Sequence, residues 1–269
     1  MHASSDSESG AARSPEFVQS LERGLAVIRA FDAQHPALTL SEVAVATGLS
    51  RAAARRFLLT LVDLGYVGSD GREFSLRPRV LELGHAYLSS LSLPELAEPH
   101  LKRLAAEVGE SASVAVLDGQ DIVYVGRVAT SRIMSAAIGV GTRFPAFATS
   151  MGRAILGSLP PAAREAFLAT VELPRLTPHT VADVAALRTE LELVPAQGYA
   201  LVDQELEEGL RSIAAPLRDA AGAVIAAVNV SAPVRRGDVA DILSDILPAL
   251  LRAASDIEAD LVRTGVRIR

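Results

Sequence analysis

Residues 39–67 have the sequence TLSEVAVATGLSRAAARRFLLTLVDLGYV, and this stretch decides the architecture of the N-terminal part of the chain. Its apolar spacing predicts one helix over Thr39–Ala46 and another from Arg51 to about Leu64. Gly48 supplies the positive φ that ends the first of these helices, and the Ser50 hydroxyl is suited to cap the second. Two short helices joined by a tight turn with a glycine are typical of a helix-turn-helix.

The flanking sequence extends this motif on both sides. Upstream, four apolar residues recur at helical spacing and predict an additional, first helix: Leu21, Leu25, Ile28 and Phe31. Downstream, Asp70-Gly71 lies between two short β-prone runs, which predicts a hairpin. Three helices followed by a hairpin make a winged helix-turn-helix, so we expect the segment 17–77 to bind double-stranded operator DNA.

The predicted third helix has two different faces. Its apolar face would pack on the other helices and consists of Ala54, Phe57, Leu58, Leu61 and Val62. Its other face carries three arginines; such a face is most often only solvated, but the wing that follows favours DNA contact. The predicted DNA-contacting residues are Ser41, Ser50, Arg51, Ala52, Arg55, Arg56, Thr60 and, at the hairpin tip, Arg72.

The net charge of −6 argues at first against a nucleic-acid partner. The charge is unevenly distributed, however: residues 1–16 have a net charge of −2, residues 17–90 of +1 and residues 91–269 of −5. Within the middle segment, residues 50–60 include three arginines and no acid. A local basic face of this kind is an electrostatic footprint for DNA even on an acidic protein.

Length and composition limit the class of protein. The 269 residues predict about two domains, and the absence of cysteine excludes disulfides and thiolate metal sites and fits a reducing cytoplasm. Residues 1–16 are predicted to be a disordered polar tail and not a signal peptide. The uncharged stretch 220–234 is shorter than the roughly 20 residues of a membrane helix. We therefore expect a cytoplasmic protein without a membrane partner.

The second half of the chain mixes strands and helices. Strands are predicted at Ser113–Leu117, Asp121–Val128, Arg132–Ile138, Tyr199–Asp203, Ser212–Leu217 and Val224–Ser231. Helices are predicted at Glu98–Glu107, Thr149–Leu159, Pro161–Thr170, Val181–Pro195 and Asp238–Val262. A hairpin-rich sheet flanked by helices indicates an α+β sensor domain over residues 95–264, preceded by a linker helix over residues 78–94.

No motif in this domain requires an enzyme. Nucleophile-elbow, phosphate-loop and zinc-protease signatures are absent, and the five histidines lack metal-ligand spacing. Gly139 and Gly141 precede a proline-containing turn, which disfavours a dinucleotide site. The acidic group Glu205, Glu207 and Glu208 is open to a catalytic interpretation, but a solvated loop is the commoner explanation. We expect no enzymatic activity, no cofactor and no metal.

Two segments favour a small-molecule site instead. Residues 141–153 pass through a turn into a helix N-terminus, where free N–H groups, the Thr149 or Ser150 hydroxyl and Arg143 would form an anion site. The alternative is that Thr149 only caps its helix. The second segment is 203–212, followed by the strand on which Asn229 and Ser231 share one face. Sheet-edge solvation would also explain those two polar residues.

These motifs resemble the IclR family of bacterial transcription regulators from about Phe17 to Val262. The resemblance rests on the helix-turn-helix segment at 39–67, on FPAFATSMGRAIL at 144–156, on DQELEEGLRSIAAPL at 203–217 and on AAVNVSAP at 226–233. FVQSLERGLAVI at 17–28 and the 203–212 segment are especially similar to the subgroup that controls protocatechuate and 4-hydroxybenzoate catabolism through the β-ketoadipate pathway.

The resemblance implies a GAF-like effector-binding domain and a homodimer formed through the DNA-binding domains and linker helix, with dimers of dimers common in the family. It implies effector contacts at the amides of Ser150 and Met151 and at the side chains of Asp203, Ser212, Asn229 and Ser231. It implies apolar walls at Ile133, Ala136, Phe144 and Leu210. Many members have histidine at the position of Phe147 and lysine at that of Arg153, so metal-binding relatives are a poor guide here.

We therefore expect a transcriptional regulator whose operator binding is controlled by a small carboxylate from aromatic acid catabolism: protocatechuate, 4-hydroxybenzoate or β-ketoadipate. Arg127 or Arg143 is expected to complement the charge of this effector. One alternative is a regulator that senses a short keto acid such as glyoxylate or pyruvate. A second alternative is an enzyme with an accessory DNA-binding domain.

Overall fold

The computed structural model describes residues 14, 16–88, 92–130 and 138–264. The chain divides between His85 and Ala86 into two compact units, with one hydrophobic core in the first and two in the second. The predicted tail lies almost wholly outside the described residues. The limits 17–77, 78–94 and 95–264 for the DNA-binding, linker and sensor segments remain predictions.

The first unit is a winged helix-turn-helix, as predicted. Its elements are α1 (Gln19–Arg29), β1 (Ala37–Thr39), α2 (Leu40–Thr47), α3 (Arg51–Asp63), β2 (Val67–Ser69) and β3 (Glu73–Leu76). The strands form an antiparallel sheet in the order β1-β3-β2. Strand β1 was not predicted, because three residues carry too little pattern and only their pairing with β3 makes them a strand.

The apolar stripe that predicts α1 divides between core and solvent. Phe31 is buried and Ile28 packs against the core, but the side chains of Leu21 and Leu25 are 63% and 45% exposed. The core itself is formed mainly by Val27 of α1 together with residues of the other elements, among them Val43, Ala54, Leu58 and Val67. The N-terminal half of α1 therefore presents an apolar surface to solvent.

The second unit contains an antiparallel sheet of six strands in the order β6-β5-β4-β9-β8-β7. The strands are β4 (Ser111–Asp118), β5 (Asp121–Val128), β6 (Arg143–Pro145), β7 (Ala200–Asp203), β8 (Leu210–Arg218) and β9 (Val224–Pro233). The helices after the wing are α4 (Leu81–Leu88), α5 (Ser92–Val108), α6 (Ser150–Ser158), α7 (Pro161–Leu168), α8 (Val184–Gln197), α9 (Val239–Asp245) and α10 (Leu247–Thr264). The predicted α+β class is confirmed.

The two faces of the sheet carry different cores. Helices α5 and α10 cover the face that includes Val228 and Val230, and α6 and α8 cover the opposite face. Because side chains alternate along a strand, Asn229 and Ser231 point to the α6 face. Among the described residues, no helix is both long and apolar enough to cross a bilayer.

Several predicted element limits were wrong. Helix α5 begins at Ser92 and not at Glu98, because Pro94 lies in the first turn, where an N–H has no intrahelical partner, and Pro99 is accommodated inside the helix. The predicted helix Asp238–Val262 is two helices, because Pro248 cannot donate to the preceding turn. Strand β6 was not predicted, and all but the last residue of the predicted strand Arg132–Ile138 lies outside the described residues.

Helix α6 is held unusually close to its surroundings, and two glycines make this possible. A Cβ at Gly152 would overlap the backbone of the short 3₁₀ turn Ala146–Ala148, which folds over the start of the helix. A Cβ at Gly157 would lie 2.6 Å from the Leu191 carbonyl oxygen on α8. These contacts place the start of α6 against the Ala146–Ala148 turn and its C-terminal part against α8.

Substitution Gly152→Ala is expected to destabilise the protein by at least about 2 kcal/mol, because the overlap is with backbone that cannot rotate away. Gly84→Ala in α4 is the matched control, since nothing lies within 4 Å of its Cβ position. In urea unfolding followed by circular dichroism, Gly84→Ala should leave the midpoint unchanged or raise it, owing to better helix propensity. Equal midpoints for Gly152→Ala and the unaltered protein would contradict the close packing.

Candidate functional site

The predicted DNA-contacting residues all lie on the surface of the first unit. Arg51, Ala52, Arg55, Arg56 and Thr60 are exposed on α3, whereas Ala54, Leu58 and Leu61 of the same helix are buried. Ser41, Ser50 and Arg72 are exposed as well. None of the four arginines in this group forms an ion pair with a described residue, so their charges are available to a polyanion.

Capping interactions define both ends of α2 and the start of α3. The Thr39 hydroxyl accepts from the Glu42 N–H at 3.4 Å, and the Glu42 carboxylate accepts from the Thr39 N–H at 2.7 Å, which completes a capping box and lowers the pKa of Glu42. Gly48 ends α2 with φ of 65°, and the Ser50 hydroxyl accepts from the Ala53 N–H at 3.2 Å. The exposed first turn of α3 is thus built by local signals.

The wing is equally well defined. At its tip the Asp70 carboxylate accepts from the N–H groups of Glu73 at 2.7 Å and Arg72 at 2.8 Å, and these hydrogen bonds lower the pKa of Asp70. Gly71 adopts φ of 96°, a conformation that favours glycine. Arg72 therefore stands on a rigid turn and extends from the same unit as α3.

The second unit has a cavity between the N-terminus of α6 and the sheet. Its described lining consists of Tyr124, Ala148, Thr149, Ser150, Met151, Val202, Leu206, Leu210, Ser212, Asn229 and Ser231. Seven of the predicted effector residues are in this lining, although they come from α6, the residue before it, β8 and β9. None of these described lining residues is acidic. The space that remains is about 10 Å³, room for about one water molecule.

The start of α6 offers hydrogen-bond donors to this cavity. Thr149 caps the helix, as its hydroxyl accepts from the Gly152 N–H at 3.1 Å. Within the described residues, no acceptor pairs with the N–H groups of Ser150 and Met151. The Ser150 hydroxyl oxygen is buried and has no partner either. A helix N-terminus with unpaired donors favours an anion.

A row of polar side chains crosses the sheet on the α6 face. Asn229 on β9 pairs in register with Ser113 on β4, and Ser113 pairs with Arg127 on β5. Arg127 donates to the Ser113 hydroxyl at 3.2 Å, and Asn229 donates to the Ser231 hydroxyl at 3.0 Å. The Asn229 side-chain oxygen and Arg127 Nε are buried without a partner among the described residues. Buried polar atoms that lack a hydrogen-bond partner are suited to bind a polar ligand.

Arg127 is a basic member of this row. Burial lowers its pKa, because the charged guanidinium is partly removed from water. No described carboxylate lies within ion-pair distance of it, and the undescribed segment 131–137 contains no acid in its sequence. A half-buried cation without a counter-charge is suited to an anionic ligand. Neighbouring Tyr124 stays protonated, since burial raises its pKa to about 12.

Two predicted effector residues have other partners. Arg143 donates to the carboxylates of Asp118 at 2.6 Å and Asp121 at 3.2 Å, near the β4–β5 turn. The Asp203 carboxylate accepts from Arg211 at 2.9 Å, and both side chains point to the sheet face opposite α6. Because side chains alternate along a strand, the neighbouring residue Val202 points to the α6 face and lines the cavity.

Phe144 is not part of the described lining but supports it, since its ring packs edge-to-face on Tyr124 with centroids 5.9 Å apart. Ile133 and Ala136 lie outside the described residues.

The acidic group in the 203–212 segment is solvated only in part, as Glu208 is exposed but Glu205 is not. Glu205 is buried and accepts from the guanidinium of Arg153 at 2.8 and 2.6 Å. Local sequence gives no sign of this pairing, because the two residues are 52 positions apart. The structure therefore adds Arg153, Glu205, Tyr124, Val202 and Leu206 to the surroundings of the cavity.

Two family models together match most of the chain. The model described as "IclR helix-turn-helix domain" matches residues 20–71, and the model described as "Bacterial transcriptional regulator IclR C-terminal" matches residues 85–259.

Individual relatives agree with these models. The chain is 46% identical to the Pca regulon regulatory protein of Pseudomonas putida over 244 residues, which cover 90% of this chain and 84% of that protein. A crystal structure from Rhodococcus sp. RHA1 is 55% identical with a TM-score of 0.82, covering 93% of this chain and 100% of that chain.

A further solved structure carries a ligand. It is an IclR homologue from Microbacterium hydrocarbonoxydans complexed with 4-hydroxybenzoate, 29% identical with a TM-score of 0.78, and the match covers 90% of this chain and 98% of that chain. Together with the winged helix-turn-helix and the sensor fold, these matches establish that the chain belongs to the IclR family of transcriptional regulators and is a DNA-binding regulator, not an enzyme.

Proposed function

We propose that the cavity at the N-terminus of α6 binds the effector of this regulator, and that the effector is a small aromatic carboxylate such as 4-hydroxybenzoate or protocatechuate, or their catabolic product β-ketoadipate. The observation that carries the proposal is the set of buried donors at Ser150 and Met151 that have no acceptor among the described residues. They face a cavity whose described lining contains no acid. A carboxylate supplies the missing acceptors.

The remaining lining fits an aromatic ring with a second polar end. Tyr124, Met151, Leu206 and Leu210 supply apolar surface, and the polar row at Asn229 supplies hydrogen-bonding groups beyond it. The IclR homologue complexed with 4-hydroxybenzoate supports this choice over glyoxylate or pyruvate, which have no ring to cover that apolar surface. Ser212 and Ser231 complete the proposed polar end.

Of the two arginines expected to complement the effector's charge, Arg127 suits the role better, although it lies in the polar row beside the described lining and not in the lining itself. It has no described counter-charge, whereas Arg143 is paired with two carboxylates. Asp203 and Arg143 are therefore left out of the proposed site.

Effector binding is proposed to require a rearrangement of the lining. An aromatic acid is much larger than the roughly 10 Å³ available, so side chains such as Met151 and Leu206 must move when it enters. A ligand that binds only the opened arrangement shifts the population towards it. This differential affinity is the means by which we expect the effector to alter operator binding.

The DNA-binding surface is proposed to comprise α3 and the wing. Ser50, Arg51, Ala52, Arg55, Arg56 and Thr60 would face the major groove, with Ser41 and Arg72 against the backbone. A DNA target fits a protein that works in the cytoplasm.

A homodimer is the proposed assembly. Leu21 and Leu25 on α1, and Leu81 and Leu83 on α4, are exposed apolar side chains that a second copy would cover. A dimer of dimers is the larger assembly compatible with the same proposal.

A thermal-shift panel tests the effector class. At 100-fold excess over its Kd a ligand stabilises the folded state by about 2.7 kcal/mol, so 4-hydroxybenzoate or protocatechuate should raise the unfolding midpoint by several degrees. β-Ketoadipate is the third member of the panel, and glyoxylate and pyruvate are the comparison. A shift with glyoxylate or pyruvate alone would overturn the aromatic assignment.

Substitution Ser150→Ala tests the place of binding. The free protein should be as stable as before or more stable, because an unpaired buried hydroxyl is removed. Affinity for 4-hydroxybenzoate in isothermal titration should fall about tenfold, the equivalent of one lost hydrogen bond. Ser158→Ala is the matched control, since its hydroxyl is also buried and unpaired but lies at the other end of α6. Equal losses in both variants would place the ligand elsewhere.

Substitutions Arg55→Ala and Arg56→Ala test the DNA-binding surface. Each should weaken binding to an operator selected from a random duplex pool and reduce the slope of log K against log salt by about 1. Arg29→Ala is the control, an exposed arginine of the same unit on α1. Unchanged affinity and salt slope in both α3 variants would count against α3 as the recognition helix.

A further inference from the structure

A buried, bidentate ion pair joins α6 to the segment between β7 and β8. Arg153 Nη1 and Nη2 donate to the two carboxylate oxygens of Glu205 at 2.8 and 2.6 Å. The two side chains are only 3% and 9% exposed. Two parallel hydrogen bonds of this kind fix direction as well as distance.

Each member of the pair is held by further bonds. Arg153 Nε donates to the Phe147 carbonyl at 2.8 Å, in the turn before α6. The Glu205 carboxylate also accepts from the Val181 N–H at 2.9 Å, and the main-chain carbonyl of Glu205 accepts from the Thr180 hydroxyl at 2.7 Å. The pair therefore locks three separate segments together and has little freedom to move.

The two segments that this pair connects both contribute to the lining of the proposed effector cavity. Arg153 lies one helical turn after Ser150, and Glu205 directly precedes Leu206. Ser150 lines one side of the cavity and Leu206 lines another. Neither Arg153 nor Glu205 is itself part of the described lining.

We infer that Arg153 and Glu205 are positioning residues for the effector site: they fix the backbones of α6 and of the Leu206 segment relative to each other, so that only side chains such as Met151 and Leu206 move when an aromatic ring enters. This inference rests on the proposed function of the cavity. A buried ion pair contributes little net stability compared with well-packed neutral residues, because both charges lose their hydration. A neutral pair cannot reproduce the two directional hydrogen bonds of this ion pair. The specific contribution of the ion pair is therefore to the geometry of the site.

The test separates stability from positioning. Either single variant, Arg153→Met or Glu205→Gln, leaves one buried group without its partner and should lower the urea midpoint clearly. The double variant Arg153→Met/Glu205→Gln leaves no charge unpaired, and the new amide oxygen at position 205 can still accept from the Val181 N–H. The double variant should regain most of the lost midpoint, while its affinity for 4-hydroxybenzoate in isothermal titration stays about tenfold weaker.

The matched control is the ion pair between Arg188 on α8 and Glu165 on α7. It has the same bidentate form, at 3.1 and 2.8 Å, but is largely exposed and neither residue lines the cavity. Arg188→Met/Glu165→Gln should leave the affinity for 4-hydroxybenzoate unchanged.

The outcomes distinguish this inference from the proposed function. A stable Arg153/Glu205 double variant that binds 4-hydroxybenzoate within twofold of the unaltered protein overturns the positioning role and leaves the effector site intact. A double variant that regains none of the midpoint also overturns it, since the pair would then be needed for folding itself. Failure of the unaltered protein to bind any aromatic acid of the panel overturns the proposed function, and the inference with it.

Discussion

The complete burial of helix α6 is the constraint on which the sensor unit depends. From Ser150 to Gly157 every residue of this helix is buried, on all its faces. A helix in such a position must approach its neighbours closely, which Gly152 and Gly157 permit. It must also bring its N-terminal N–H groups into the interior, where water does not reach them freely. The cavity between α6 and the sheet is the consequence: it lies at a buried helix start whose first N–H groups have no acceptor among the described residues.

The two units use charge in opposite ways. On α3 and the wing the arginines are exposed and unpaired with described residues, which suits the proposed contact with a polyanion through long-range attraction and counterion release. In the sensor unit many charged side chains form ion pairs with each other, such as Arg143 with Asp118 and Arg211 with Asp203. Arg127, near the cavity, is an exception because it forms no ion pair with a described carboxylate. This division explains how an acidic protein with net charge −6 binds DNA.

Local signals made the DNA-binding unit predictable. The Ser50 cap, the glycine at position 48 and the Asp70-Gly71 turn each act within a few residues, and each has the predicted role in the structure. The proposed effector cavity was predictable in part: Ser150, Met151, Leu210, Ser212, Asn229 and Ser231 were expected at one site, and the fold brings them together around one cavity. The direction in which Asp203 points was missed, because the strand limits had to be known before its face could be assigned.

The family was predictable from motifs that resemble it. The order of most elements and the apolar and polar faces of most helices and strands were predictable because they depend on spacing along the chain. Only the tertiary structure decided which charges are neutralised. Glu205 and Arg153 are 52 positions apart and meet because α6 packs on the sheet whose edge strand β7 leads into Glu205. Strand β6 and the pairing of Arg143 likewise depend on neighbours that are distant in sequence. Burial and pairing are properties of the assembled core, and no local pattern encodes them.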